Sequence, residues 1–240
     1  MRNWTTGILL CSLLSAGCSS GGSGSSAIDP LTDPELLPVA QCTALHVRAF
    51  SRFIDGMQDL FDHFNGAPLA AGITEIDPDK EYQFALDLER DGVSDFTIDL
   101  VITGGDNISD GMEVNESIDI DLNVQGAIVG VFGIRFSRFA TNLHLGGPVS
   151  LENSSGTCSF STANVSTAWD TGDTDTISPN LVFTSIESSG GTTSTFSGQL
   201  FLELPEGEVL LAFGQLTVGG GAPVNKGFAI DPETFEVGEV

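Results

Sequence analysis

Apolar residues recur every three or four positions between residues 39 and 64, which is the spacing of one face of an α-helix. Asn65-Gly66 and then Pro68 follow, and this combination is typical of a helix end. The pattern therefore predicts one long amphipathic helix over residues 39–64. The apolar positions are Cys42, Leu45, Ala49, Phe50, Phe53, Ile54, Met57, Leu60, Phe61 and Phe64, and the charged positions off that stripe are Arg48, Arg52, Asp55, Asp59 and Asp62.

From residue 81 onward the apolar period changes from three or four to two. In the segment SIDIDLNV, for example, Ile118, Ile120, Leu122 and Val124 alternate with polar residues. Strict alternation predicts a strand with one buried face, as in antiparallel sheets. Further segments of this kind continue to the C-terminus, and we expect about nine or ten strands after the helix.

A helix with one apolar stripe and a sheet with one apolar face most simply bury each other. The sequence therefore predicts a single α+β domain over residues 39–240, with one long N-terminal helix packed on a curved, mostly antiparallel sheet. A β-sandwich with the helix on its edge is the alternative. The Phe- and Met-rich stripe favours a packed core, although such a stripe against a curved sheet could also line a cavity for a hydrophobic ligand.

The first eighteen residues, MRNWTTGILLCSLLSAGC, combine one basic residue, a short apolar segment and small residues before Cys18. The apolar segment is too short to span a bilayer. The whole stretch resembles the lipobox signal of bacterial lipoproteins, which implies that Cys18 is lipidated and becomes the mature N-terminus. Ser19 at the next position implies an outer-membrane destination. An ordinary secretory signal cleaved nearby is the alternative.

Residues 19–38 then form a flexible Gly/Ser linker and a turn-rich segment that leads into the domain. A tether between an acylated cysteine and a folded domain has this composition. We therefore expect the protein to contact the membrane through an N-terminal lipid, in the cell envelope, facing either the periplasm or the medium.

Charge limits the possible partners. The chain has 33 acidic and 8 basic residues, for a formal net charge of −25 at pH 7. Binding to a phosphate backbone requires clustered lysine and arginine. The composition therefore excludes nucleic acid as a partner and opposes binding to anionic lipid headgroups. It suits a solvated acidic surface, cation binding or a salty medium that screens self-repulsion.

Four cysteines are present, of which Cys11 lies within the signal and Cys18 is the predicted lipidation site. Cys42 and Cys158 remain in a domain that we expect to be exported, and exported proteins retain disulfides. A Cys42–Cys158 disulfide is predicted, and two separately buried thiols are the alternative. A Cys/His metal site is not expected, because the chain has no CxxC and its three histidines are scattered in sequence.

The segment DLERDGVSD, between two predicted strands, places acids at alternating positions around a glycine. It resembles the DxDxDGxxD calcium loops of bacterial surface proteins, which implies oxygen ligands from Asp87, Glu89, Asp91, the Val93 carbonyl and Asp95. The residue at position 12 is Ile98, where EF-hands place a glutamate. A hairpin turn in an acidic chain explains the same residues, so calcium and a plain turn remain alternatives.

No catalytic motif occurs in the chain: there is no G-x-S-x-G, H-E-x-x-H, phosphate-binding loop or dinucleotide fingerprint. We therefore expect a non-enzymatic acidic cell-envelope lipoprotein with a structural or surface-interaction role and, as a possible partner, another envelope protein. A lipid-binding or carrier lipoprotein and a calcium-stabilised adhesion module are the two alternative functions. No cofactor other than possible Ca²⁺ is expected.

Overall fold

A computed structural model describes residues 28–64, 67–78, 80–105, 115–139, 142–170, 181–203, 209–231 and 234–240. These residues form one helix followed by a mostly antiparallel sheet, as the sequence predicts. The elements are α1 (Leu37–Phe64), β1 (Ile73–Asp77), β2 (Glu81–Leu86), β3 (Phe96–Gly104), β4 (Ser117–Gly126), β5 (Ile128–Phe139), β6 (Asn142–Asn153), β7 (Cys158–Asp170), β8 (Leu181–Ser189), β9 (Thr192–Glu203), β10 (Val209–Val218), β11 (Val224–Ile230) and β12 (Val237–Gly238).

The twelve strands form a single open sheet in which each strand pairs antiparallel with the next one along the chain. A single sheet in the described part of the chain favours the predicted helix-on-sheet domain over the β-sandwich alternative, and its twelve strands exceed the nine or ten expected. The missed strands lack the signal on which that count depended. In β1 only the first residue is even partly buried, so the apolar alternation is absent.

A glycine pair followed by proline interrupts β6, and this interruption hides the strand in the sequence. Pairing between β6 and β7 shifts register between Gly147 and Val149. Gly147 has a φ of +148°, and a Cβ at this position would lie 2.9 Å from the carbonyl oxygen of Gly133 on β5. The close approach of the two backbones therefore requires glycine at position 147.

The alternating segments form strands with the predicted faces. On β4, Ile118, Ile120, Leu122 and Val124 are all buried, and the residues between them are partly or fully exposed. Cross-strand register continues this face, because Leu122 lies opposite Leu100 of β3. The buried face of the sheet is therefore the one that the period of two indicates.

The helix begins two residues before the predicted start, because Asp33 caps it. The Asp33 carboxylate accepts backbone hydrogen bonds from Glu35 at 3.0 Å and Leu36 at 3.3 Å. Such caps satisfy N–H groups that have no partner within the helix. Asp33 also forms an ion pair with Lys226 of β11 at 2.6 Å, which joins the helix start to the far end of the sheet.

Burial of α1 extends well beyond the predicted stripe, and in this respect the prediction was wrong. Arg52 was placed on the charged face but is buried, as are Ala40, Thr43 and His46. The helix is therefore enclosed on most of its circumference. The positions that stay partly or fully exposed, spaced three to seven residues apart, include Leu37, Gln41, Leu45, Arg48, Asp55 and Asp59. The side chains of Phe61, Asp62 and Phe64 lie outside the described part of the chain.

The core consists of two clusters arranged along the helix. The N-terminal half of α1 packs with aromatic residues of β7 to β11, and its C-terminal half packs with β2 to β7. The first cluster contains a row of rings, Phe160, Phe183, Phe196 and Phe228, with successive centroids 5.5, 5.7 and 5.1 Å apart. Within the described residues, α1 is not apolar enough over a sufficient length to span a membrane.

Candidate functional site

The predicted lipidation site, Cys18, and the Gly/Ser part of the linker lie outside the described residues, which begin at Ile28. The segment that follows is tied to the C-terminus of the domain. Pro30 bridges to Gly238, and the N–H of Glu239 donates to the carbonyl oxygen of Asp29 at 2.8 Å. The point at which the linker enters the domain is therefore fixed beside β12.

Cys42 of α1 and Cys158, the first residue of β7, form the predicted disulfide, with their Cα atoms 5.7 Å apart. The bond closes a loop with a sequence separation of 116 residues. Both cysteines are buried. The disulfide therefore joins the enclosed helix to the middle of the sheet.

His46 lies beside this disulfide, which the sequence analysis did not foresee. Its Nδ1 is 2.8 Å from the carbonyl oxygen of Cys42 and 3.4 Å from Sγ of Cys158. A carbonyl only accepts hydrogen bonds, so Nδ1 carries the proton. Desolvation lowers the pKa of His46 to about 4, although the hydrogen bond to Cys42 opposes this shift. The imidazole is therefore neutral at physiological pH and stacks on the ring of Phe160.

The Cys42, His46 and Cys158 ligand atoms all lie within 4.8 Å of one another, a grouping of three metal-ligating side chains within the described residues. Thiolates bind metals and a disulfide does not. With the bond closed, the arrangement is a buried structural crosslink packed by a neutral histidine. The spacing of four residues between Cys42 and His46 on one helix was the signal that could have revealed it.

The acidic loop between β2 and β3 uses its carboxylates to bind its own backbone. Asp87 accepts hydrogen bonds from the N–H groups of Glu89 at 3.0 Å and Gly92 at 2.6 Å. Desolvation raises the pKa of Asp87, but these backbone donors outweigh it and hold the pKa below its usual value. Further bonds of this kind run from Val93 N–H to Asp91 at 2.8 Å and from Leu88 N–H to Asp95 at 2.7 Å.

Calcium binding at this loop stays a prediction. It would require several of the loop carboxylates to face one ion. Within the described residues, the loop acids do not form a group of three ligand atoms as close as those around His46. Asp87 already accepts backbone hydrogen bonds at both of its carboxylate oxygens, and Oδ1 of Asp91 accepts one from Val93. The loop is closed by side-chain hydrogen bonds of the kind found in turns.

We expect the melting temperature of the protein to be the same in calcium and in chelator, because the backbone of the loop already has its hydrogen-bond partners. Differential scanning calorimetry of the wild-type protein and of Asp91→Ala measures this. A rise in melting temperature with calcium in the wild-type protein, lost in Asp91→Ala, would show that the loop is a calcium site.

A second charged cluster lies where the helix is open to solvent. Nη1 of Arg52 is 3.6 Å from Oδ2 of Asp55, and both side chains are largely buried. Desolvation raises the pKa of Asp55 to about 6, opposed by Arg52 and Arg90 and assisted by Asp59. Desolvation likewise lowers the pKa of Arg52, and the neighbouring charge of Arg90 lowers it further.

The raised pKa of Asp55 predicts a pH-dependent contribution to stability. Its folded-state value of about 6 exceeds the ordinary 3.8, so this group stabilises the fold below pH 4 and loses that contribution as pH rises through 6. The free energy of unfolding of Asp55→Asn should therefore equal that of the wild type near pH 4 and exceed it by roughly 1–2 kcal/mol at pH 7. Urea unfolding at both pH values measures the difference, and a difference independent of pH would contradict the assignment.

A groove of about 500 Å³ runs along the open side of the helix toward β12. Helix residues Leu37 and Leu45 form one wall, and Leu31 and Phe235 are among the apolar residues opposite. Arg48 also lines the groove: its Nη2 donates to the carbonyl oxygen of Thr234 at 2.7 Å, and its guanidinium carbon lies 5.0 Å from the ring centroid of Phe235. The groove is thus mostly apolar with an arginine in its wall.

No family model matches the chain, and no curated protein and no solved structure is significantly similar to it.

Proposed function

We propose that the protein is a non-enzymatic, acidic cell-envelope lipoprotein, anchored in the outer membrane through a lipid on Cys18, with a structural or surface-interaction role. The observation that carries this proposal is the buried Cys42–Cys158 disulfide. Disulfides persist in oxidising compartments and are rare in the cytosol. The crosslink therefore supports the export that the lipobox-like N-terminus implies.

The way the chain enters the domain suits a tether. The segment after the linker is held by the Pro30–Gly238 bridge, and the backbone N–H and hydroxyl of Thr32 both donate to the Glu239 carboxylate, at 3.0 and 2.7 Å. Force on an N-terminal anchor would reach the edge of the sheet before it reached the helix. We infer that this attachment protects the enclosed helix from being pulled out.

The curvature of the sheet around the helix is also part of the proposal. The helix contacts β2, β7, β8, β9 and β12, which are distributed across most of the strand order. The helix is also buried on most of its circumference, which a flat layer on one side of it would not explain. We infer that the sheet curves around α1, which makes the domain a rigid shell with an acidic outer surface. Such a surface would favour a cationic or neutral face on an envelope partner.

The anchor is tested by expressing the wild-type protein and Cys18→Ser in a diderm bacterial host. We expect wild-type protein in the outer-membrane fraction and in the detergent phase after extraction, because acyl chains partition out of water. Cys18→Ser should remain soluble after export, and Cys11→Ser serves as the matched control that keeps the anchor. Equal partitioning of the wild-type protein and Cys18→Ser would contradict the lipid anchor.

Hydrophobic-ligand binding is the second candidate function, and the groove along the open side of the helix favours it. The helix stripe itself does not offer the expected interior: Phe53 and Met57 are buried within the core cluster and pack with residues of the sheet. A ligand would therefore bind at the exposed side of the helix, next to the C-terminal segment.

A further inference from the structure

The groove has opposite chemical character at its two ends. Leu37 and Arg48 both belong to α1 and line the groove, and eleven residues of helix separate them by about 16 Å along its axis. Gln41, which is exposed, and the apolar Ala44 and Leu45 lie between them on the same wall. An elongated ligand that followed the helix would therefore contact apolar side chains along most of its length and a guanidinium at one end.

The guanidinium of Arg48 places a positive charge at this end of the groove. Its Nη2 is bound to Thr234, but its Nε is buried and has no hydrogen-bond partner among the described residues. Burying an unpaired donor is costly. Arg52, one helical turn further, also has a buried Nε without a partner. A carboxylate at this end of the groove would offset the positive charges of Arg48 and Arg52, which lie close enough for Arg48 to lower the pKa of Arg52.

We propose that this groove binds a single-chain amphiphile with a carboxylate head, such as a long-chain fatty acid. The carboxylate lies at Arg48, and the hydrocarbon chain extends along α1 toward Leu37. The volume of about 500 Å³ falls within the range of pockets for small molecules. This inference rests on the hydrophobic-ligand candidate and does not depend on the lipid anchor.

The strongly acidic chain does not prevent such binding. Charges more than about 8 Å apart are largely screened at physiological ionic strength, so the carboxylate responds mainly to the groups that line the groove. Of the described lining residues, Arg48 is the single base, and Glu236, which is exposed, is the single acid. We therefore expect Glu236→Gln to strengthen binding of an anionic ligand.

The test uses the full chain carrying Cys18→Ser, exported so that the disulfide forms, which prevents a lipid on the chain itself from occupying the groove. Two probes of equal chain length are titrated by calorimetry below their micelle concentrations: dodecanoate and its neutral glycerol monoester. We expect dodecanoate to bind about tenfold more tightly than the ester, because only dodecanoate supplies an anionic acceptor to Arg48.

Two substitutions in the groove test the carboxylate contact and the hydrocarbon contact separately. Arg48→Gln should reduce dodecanoate binding to the level of the ester, and Leu45→Gln should weaken both probes. Val131→Gln, on the exposed outer side of β5, is the matched control for Leu45→Gln and should bind as the parent does. Near-ultraviolet circular dichroism of each variant establishes that the fold is retained.

Two results would overturn the assignment in distinguishable ways. If both probes bind the parent equally and Arg48→Gln has no effect, the carboxylate assignment is wrong while the hydrophobic-ligand candidate stands. If neither probe binds the parent, the hydrophobic-ligand candidate fails as well. The proposed role as a lipid-anchored structural or surface-interaction protein is then unaffected.

Discussion

Replacing Cys42 and Cys158 together by alanine is expected to lower the free energy of unfolding by about 4–5 kcal/mol. The disulfide closes a loop with a separation of 116 residues, and so large a loop restricts the unfolded chain strongly. Alanine is chosen because both positions are buried, where a serine hydroxyl would add a separate cost. Urea unfolding of the exported protein measures the change.

Reduction of the wild-type protein with a dithiol should lower the free energy of unfolding by a similar amount. Cys18→Ser, which leaves the Cys42–Cys158 disulfide intact, should not change it. A loss below about 1 kcal/mol in the double alanine variant would be far outside the range for a loop of this length. It would mean that the two cysteines are separately buried thiols in the protein as isolated.

Phe53→Ala is expected to lower the free energy of unfolding by about 3–5 kcal/mol, the range for removing a large buried ring from a core. Phe53 lies on α1, and its ring is 6.2 Å from Phe132 of β5 and 6.5 Å from Phe84 of β2. It therefore joins the helix to two strands that are not neighbours in the sheet. The loss should appear as a lower urea midpoint with unchanged secondary structure.

Phe213→Ala is the matched control for this substitution, because Phe213 lies on β10 with 44 % of its surface exposed. Its ring still contacts Phe201 and covers Gly227, so we expect a loss of no more than about 1 kcal/mol. Equal reductions in the free energy of unfolding for the two variants would contradict the burial of α1 against the sheet.

The sequence predicted the faces of the elements more reliably than their surroundings. Alternation on β4 identified Ile120 and Leu122 as buried because a half-buried strand has only two faces. The helix stripe identified Phe53 and Met57 as buried, but Leu45 on the same stripe is partly exposed, and residues off the stripe are buried as well. Arg52 is a charged residue that the sequence placed off the apolar stripe, yet packing buries it, and packing also buries the polar Thr43.

Burial of these polar residues depends on partners distant in sequence. The Thr43 hydroxyl lies 2.8 Å from the Val39 carbonyl oxygen and 2.8 Å from the Ser185 hydroxyl on β8. A periodicity argument uses neighbours along one element, so it cannot identify a partner 142 residues away. The strand count was low for a related reason, since β12 is defined by its pairing rather than by its own pattern.

The candidate sites likewise divide into features that the sequence predicted and features that depend on how distant parts of the chain pack together. The disulfide followed from cysteine arithmetic and the expected compartment, which are properties of the whole chain. Proximity of His46 to Cys158 required the packing of α1 on β7. The groove beside Arg48 involves Phe235 and other residues near the C-terminus, so no local pattern could reveal it. The acid spacing around Gly92 favoured a turn but was also compatible with calcium, because both need oxygen atoms near a tight bend.

The most direct test of the central claim is the intact mass of the mature protein extracted from the outer membrane of a diderm host. We expect a chain that begins at Cys18, carries the added mass of a lipid modification, and is two hydrogens lighter than the same chain with Cys42 and Cys158 reduced. An unmodified chain that begins at another residue would contradict the lipoprotein assignment and leave an ordinary secreted acidic domain.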